Sequence, residues 1–273
     1  MKIGIADKII TLFSIYRCVF HLPNKFKLYV LIKPLDCVRY TEFSFLLKYI
    51  KEINLTKGKK VLDISSPFMM SYILSRNFKV IKTDIYEEEK KYIKENNNLR
   101  FEKQDATAMI YDDNSFDFVY SISVIEHIFE KYKQAVQEMI RVTKNGGFIY
   151  LSFPVSINYT EEWLDSDIYS DQFKQDGKTF FQYRFDEEKL NNFLNSLPGT
   201  EVLRKSIYWE RKNGKYNYLI SLLKKKLAGK FISFFKDSFI NFYYGFFLLN
   251  NRAGDFNEAK DFGNISLILK VVK

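Results

Sequence analysis

Three aspartates, Asp63, Asp84 and Asp105, recur at intervals of 21 residues, each at the end of a short apolar run. A carboxylate so placed does one kind of chemistry well: it accepts hydrogen bonds from the hydroxyls or amines of a ligand. In an open α/β sheet, ligands bind at the carboxyl ends of the strands, near the point where strand order reverses. An acid after the second strand can then accept both ribose hydroxyls of a nucleoside, and one after the third can accept from an adenine amino group. Together the three predict an adenosine pocket. A single Asp would predict only a turn or a helix cap.

The elements that must position these acids follow from the apolar pattern. Lys60-Val61-Leu62-Asp63-Ile64 is a short apolar run bounded by polar residues, as suits a buried parallel strand. Lys79 to Asp84, Leu99 to Gln104, Phe116 to Ser121 and Phe148 to Phe153 repeat that pattern. Helices are expected near Met69 to Arg76, Glu87 to Lys94 and Lys131 to Arg141. Strands alternating with helices give a doubly wound parallel sheet. Gly146-Gly147 before the fifth strand reads as a turn that needs positive φ. Thr200 to Trp209 and Ile265 to Val272 read as late strands, with a helix capped by Asp186 ahead of them. The resulting plan is an N-terminal helical cap (1–55), a core (56–210) carrying a polar, aromatic-rich loop at 156–180, a helical insertion (211–262) and a last strand (263–273). In the cap, Ile5, Ile9, Leu12, Phe13, Tyr16, Val19 and Phe20 recur at helical spacing, and a second helix runs from about Thr41 to Ile53.

Five segments in order and spacing, Val-Leu-Asp-Ile-Ser-Ser (61–66), Thr-Asp-Ile (83–85), Gln-Asp-Ala (104–106), 116–128 and 144–154, resemble the class I SAM-dependent methyltransferases of the broad type 11 group. They span about a third of the chain, from 61 to 154. The resemblance implies an α/β, Rossmann-like seven-stranded sheet, six strands parallel and one antiparallel, with S-adenosylmethionine as cofactor. It implies that Asp63, Ser65 and Ser66 approach the amino-acid end of the cofactor and that Asp84 holds the ribose with Ile85 against the adenine. Asp105 and Ala106 would address the adenine edge, and Ser121 to Ser123 the methyl-transfer face. Arg39 and Tyr40, upstream, are candidates for contact with the methionine carboxylate or the acceptor. The chain departs from the family in one place. No glycine stands between Asp63 and Arg76, where Ser-Ser-Pro-Phe-Met-Met replaces the usual glycine-bearing loop. The same absence argues against a nicotinamide-dependent oxidoreductase, whose fingerprint needs those glycines.

Methyl transfer from a sulfonium needs mainly alignment, and a hydroxyl acceptor also needs a base within hydrogen-bond reach. His127, one of two histidines, is the first candidate and Glu126 the second. The expected function is methylation of a small molecule, glycan or lipid-linked intermediate, on oxygen. The alternative is a non-catalytic SAM-fold protein that binds a partner through its insertion. The net charge of +9 admits nucleic acid, but the basic residues are dispersed and the Asn/Asp-Pro-Pro-Tyr/Phe motif of base methylation is absent after Tyr120. Two cysteines and two histidines argue against a structural metal and for a reduced, cytoplasmic setting. In the insertion, Leu219, Leu223, Leu227, Phe231, Phe234, Phe235, Phe239 and Phe242 lie at helical spacing among Lys224, Lys225, Lys226, Lys230 and Lys236. Such a stripe meets an anionic membrane at the cytoplasmic face, the core, or a second subunit.

Overall fold

The computed structural model describes residues 1–169, 172–225 and 229–273. Its helices are α1 (Ile5–Tyr16), α2 (Asn24–Ile32), α3 (Arg39–Glu52), α4 (Phe68–Ser75), α5 (Tyr132–Val142), α6 (Glu187–Asn195), α7 (Lys215–Lys224) and α8 (Lys230–Phe247). Its strands are β1 (Lys60–Ile64), β2 (Lys79–Asp84), β3 (Leu99–Lys103), β4 (Phe116–Ile122), β5 (Thr143–Val155), β6 (Thr160–Leu164), β7 (Lys174–Gln175), β8 (Lys178–Arg184), β9 (Thr200–Trp209) and β10 (Gly263–Val271). The chain divides into two compact units, one of Thr56–Lys205 with Ile265–Lys273 and the other of Met1–Leu55 with Ser206–Asn264.

The first unit is built on a seven-stranded sheet of order β3-β2-β1-β4-β5-β10-β9. Strands β1 to β5 are mutually parallel, with Val61 opposite Val80 on one side and Phe118 on the other. Val61, Leu62, Asp63 and Ile64 are all buried, as expected of a central strand covered on both faces. The C-terminal residue Lys273 donates to Asn145 at the start of β5, so β10 runs against β5. Bonds from Val272 to Gly199 and from Glu210 to Phe262 likewise set β9 and β10 antiparallel. The sheet is therefore mixed, with β10 reversed. Gly146 takes φ +75, while Gly147 has another reason to be glycine: a Cβ there would lie 2.8 Å from the Thr143 side chain.

Two local expectations differ from the structure. Glu87–Tyr92 forms a 3-10 turn with no buried residue rather than an α-helix, because three adjacent glutamates leave it no apolar face to pack. The stretch 156–180 is largely a second, three-stranded sheet, β6-β8-β7. Its β7–β8 hairpin turns on Asp176 and Gly177 at φ 51 and 76, the left-handed pair that an Asp-Gly two-residue turn requires. Ser170 and Asp171, within that stretch, lie outside the described residues.

The second unit is helical around α3, whose Tyr40, Phe43, Phe45, Leu46 and Tyr49 are buried. Helix α1 turns Lys8, Thr11 and Ile15 inward and leaves Ile5, Ile9, Ile10, Phe13 and Tyr16 outward. Thr11 meets Ser44 at 2.8 Å, and the Lys8 ammonium donates to the Gly245 carbonyl at 2.9 Å. Helix α8 is inverted in the same way. Ser238, Asn241 and Gly245 face inward, and Gly245 lies so close under the Tyr40 ring that a Cβ would come within 2.2 Å of it. Every exposed described side chain of α8 is apolar or aromatic. The single lysine-flanked stripe of the sequence is thus two helices, α8 opening at Gly229 with φ 92. Lys226 and Leu227 lie outside the described residues, as does the Lys230 side chain.

Candidate active site

After β1 the chain must leave the sheet and start α4 within three residues. Ser65 makes that turn in the left-handed region, at φ 50, and donates its N–H to Thr83 of β2 at 2.9 Å. A side chain in that region costs about 1–2 kcal/mol, which is why glycine is usual there. The Ser65 side chain lies by Asp84 and partly offsets the effect of burial on that carboxyl. Ser66 is pinned from three sides. Its N–H donates to Asp63 Oδ1 at 2.9 Å, its Oγ accepts from Ile122 N at 3.0 Å, and its carbonyl accepts from Lys82 Nζ at 2.7 Å.

Beneath this turn lies a buried polar hub. The Asp63 carboxylate is fully buried and accepts from Tyr120 OH at 2.7 Å and from Ser71 Oγ. The Lys82 ammonium, also buried, stands 4.0 Å from Asp63 Oδ2. Burial, then the charge on Asp63, pushes the Tyr120 hydroxyl well above its ordinary range, so it remains a donor. The hub ties β1, β2, β4 and α4 together under the turn and does for its shape what glycines do elsewhere.

A cavity of about 440 Å³ opens at the carboxyl ends of these strands. One end is lined by Ser65, Asp84, Ile85, Asp105 and Ala106, with Tyr86, Glu89 and Gln104 beside them. Asp84 accepts from Tyr86 N at 3.0 Å, and burial raises its carboxyl against the opposing effects of that N–H, Lys82 and Ser65. Glu89 is raised as well, by burial and then by the nearby Asp84 charge. Asp105 Oδ1 accepts from both N and Oγ1 of Thr107 at 2.8 Å, which fixes its carboxylate. Ile85, about half exposed, offers an apolar face next to these acids.

The other end holds Ser123, Val124, His127, Ile128 and Phe129, with Tyr169, Gln172 and Phe173 from the loop that precedes β7. Ser123 after β4 is left-handed like Ser65, at φ 48, and its N–H reaches Ser152 of β5 at 2.8 Å. Two strained serines at one cavity are the pattern expected where function fixes the backbone. His127 Nδ1 sits 2.5 Å from the Phe181 carbonyl, an acceptor only, so Nδ1 carries a proton and a neutral ring keeps its lone pair on Nε2. Glu126 is buried, with Oε1 3.8 Å from His127 Nε2. Phe129 stacks on Phe173 at 4.1 Å, and Gln172 ties the loop to the Phe180 carbonyl.

Of the residues expected from sequence, Ser65, Asp84, Ile85, Asp105, Ala106, Ser123 and His127 meet at this cavity. Asp63, Ser66, Ser121 and Glu126 are buried and are not among its lining. Asp63 and Ser66 belong to the hub, because the carboxylate points beneath the turn rather than out of it. Arg39 and Tyr40 belong to the helical unit. Arg39 pairs with buried Glu42 at 2.6 Å, whose other oxygen accepts from Asn264, and the Tyr40 ring is buried against Phe242 and Phe246. The sequence reading missed Tyr86, Glu89, Phe129, Tyr169, Gln172 and Phe173 as lining residues. The density of aromatics from 169 to 183 and the Asp-Gly turn were the available signals.

A Rossmann-like sheet of this order, with an acid-lined cavity after β2 and β3, defines an α/β domain made for an adenosine-bearing cofactor. Residues 65–151 match the family described as a methyltransferase domain, type 11. The chain carries a class I SAM-dependent methyltransferase domain of that family, and S-adenosylmethionine is its cofactor. The fold is also similar to that of a coclaurine N-methyltransferase bound to N-methylheliamine and S-adenosylhomocysteine, at TM-score 0.56 and 13% identity, covering 99% of this chain and 88% of that one. It is similar to the MccD protein at TM-score 0.51 and 14% identity, over 84% and 96% of the two chains. The residues present fit the cofactor. The cavity volume lies within the roughly 300–1,000 Å³ usual for such sites, and a desolvated carboxylate stands beside an open apolar face. Among the described residues, no helix is long and apolar enough to cross a membrane.

Proposed function

We propose that the chain transfers a methyl group to a hydroxyl of a small molecule, glycan or lipid-linked intermediate. S-adenosylmethionine supplies an activated methyl on a sulfonium when bound. Asp84 is then the acceptor for the ribose hydroxyls, and Ile85 with Ala106 packs on the adenine, whose edge Asp105 faces. Ser65, in its left-handed turn, lines the cavity beside Asp84. These acids also make the cavity negative, which favours a cationic sulfonium.

The observation that carries acceptor activation is the tautomer of His127. With Nδ1–H given to the Phe181 carbonyl, a neutral ring carries its lone pair on Nε2, the nitrogen that takes the proton of an acceptor hydroxyl in this reading. Glu126, 3.8 Å away and buried, stabilises the imidazolium that results and acts as a positioning residue. Tyr169, Phe173 and Phe129 give the acceptor end an aromatic wall, which suits a sugar face or a lipid-proximal group. The outward apolar helices of the second unit favour the lipid-linked member of the acceptor class and a peripheral place at the cytoplasmic face of a membrane.

The test is transfer of labelled methyl from S-adenosylmethionine into polar and organic extracts of the host cell. His127→Ala is expected to lose about 10²–10⁴-fold in transfer while calorimetry with S-adenosylhomocysteine stays unchanged. Transfer undiminished in that variant removes His127 from the chemistry. Failure of the wild-type protein to bind S-adenosylhomocysteine leaves the non-catalytic alternative, a partner-binding protein on the same fold.

A further inference from the structure

We infer that the helical unit carries a surface that docks on an anionic lipid bilayer, formed by the outward faces of α1, α2 and α8. The inference rests on the peripheral-membrane part of the preceding reading and not on the methyl transfer.

The first observation is the inversion. A helix of a water-soluble unit turns its apolar stripe inward. Helix α1 instead buries Lys8 and Thr11 and exposes Ile9 and Phe13, the latter 65% exposed. Helix α8 buries Ser238 and Asn241 and exposes Phe231, Phe235, Phe239 and Tyr243, with Phe239 69% exposed. Helix α2 adds Leu28 and Leu31. These helices are neighbours: the Lys8 ammonium reaches Gly245, Tyr29 packs on Phe234 at 5.4 Å, and Ser238 donates to the Ile32 carbonyl. Among the described residues, the unit holds 17 of the 25 large exposed hydrophobic side chains in fewer than half of the chain's residues. Contiguous apolar exposure of this kind marks an interaction surface.

The second observation names the occupant. Residues 1–55 and 206–264 carry 19 Lys and Arg against 9 Asp and Glu, whereas the rest of the chain carries 23 against 24. All of the net positive charge therefore sits in the unit that exposes the aromatics. Part of it lies beside the α8 stripe. Arg211 stands over the Phe247 ring at 6.0 Å, and exposed Lys224 and Lys225 close α7 where Lys236 of α8 caps its carbonyls. Aromatic and aliphatic side chains flanked by lysine suit the boundary between acyl chains and anionic headgroups. A second copy fits less well, since a two-fold contact through one patch would set like charge against like.

The test is sedimentation of the full chain with vesicles of equal parts phosphatidylcholine and phosphatidylglycerol, beside vesicles of phosphatidylcholine alone. The protein is expected to pellet with the anionic vesicles and to be released by salt. Phe235→Ser/Phe239→Ser/Tyr243→Ser, at exposed positions, is expected to weaken that binding at least about ten-fold. Lys224→Gln/Lys225→Gln is expected to weaken it about five-fold per lysine. Calorimetry with S-adenosylhomocysteine on the same samples reports folding and the methyltransferase reading separately. Wild-type protein that binds S-adenosylhomocysteine yet stays in the supernatant with both vesicle types overturns the inference. A concentration-dependent dimer dispersed by the triple variant, without vesicle binding, also overturns it and gives the face to a second copy.

Discussion

Replacing Lys82 by methionine tests how a turn without glycine is held. The Lys82 ammonium and the Asp63 carboxylate are both buried and 4.0 Å apart. At that distance their attraction is about 4 kcal/mol at an effective dielectric near 20. Lys82 also gives Ser66 O a bond of 2.7 Å, and its removal leaves a buried carboxylate without its counter-charge. Breaking one side of a buried pair costs about 3–5 kcal/mol. Asp63 retains Tyr120, Ser71 and Ser66 N as donors, which places the expected loss at the lower end, about 3 kcal/mol. For a unit of this size that is a drop in Tm of roughly 6–12 °C. Affinity for S-adenosylhomocysteine is expected to fall too, because Ser65 and Ser66 lose an anchor. Asp63→Asn/Lys82→Met, which removes both charges, is expected to recover part of the loss. Thermal unfolding and calorimetry on the variants decide the matter. Lys82→Met within about 0.5 kcal/mol of wild type, or a double variant that merely sums the singles, refutes the hub as the support of the turn.

Other expectations follow from the same geometry. Ser65→Ala keeps the left-handed strain and Ser65→Gly relieves it, so the glycine variant is expected to be more stable than the alanine one by about 1 kcal/mol; an alanine variant as stable as the glycine one contradicts this account. Asp84 has its carboxyl raised by burial, so the cofactor-free protein gains stability as pH falls from that raised value toward 3.8. Cofactor hydroxyls bind the ionised form, and affinity is therefore expected to decline on acidification earlier than an ordinary carboxylate would dictate. Titration calorimetry across pH with Asp84→Asn, and Glu89→Gln as control for its raised neighbour, checks both signs. Lys8 is pushed down to about 8, chiefly by burial and then by Arg211. The unfolded chain then binds more protons between about 8 and 10.5, so stability rises with pH across that window. Lys8→Met is expected to abolish the rise and to add on the order of 3 kcal/mol at neutral pH; parallel stability curves for the two proteins sink the argument.

The sheet was legible because its central strands are short, wholly apolar runs that end on polar residues, as in Val61 to Asp63 and Phe118 to Ser121. Burial on both faces leaves no other reading of such runs. Asp84, Asp105 and His127 were legible as chemistry because each follows a strand end, where an open α/β sheet puts its ligands. What adjoins them was not. Tyr169 and Phe173 reach the cavity on a loop whose path depends on the small β6-β8-β7 sheet, and no local pattern encodes that path.

For the acid trio, the sequence determined position along the chain, and the tertiary structure decided direction. Asp84 and Asp105 open on the cavity, while Asp63 turns beneath Ser65 to meet Lys82 from the neighbouring strand. That pairing exists only once β1, β2 and β4 lie side by side. The glycine-free loop is decided at the same level: a serine can hold φ 50 because a buried hub formed by distant residues keeps it there. In α1 and α8, periodicity determined that a stripe exists, since 3.6 residues per turn gathers every third or fourth side chain on one face. Which way that face turns depends on what the opposite face can bury. Lys8 with Gly245, and Gly245 under Tyr40, send the apolar stripes outward.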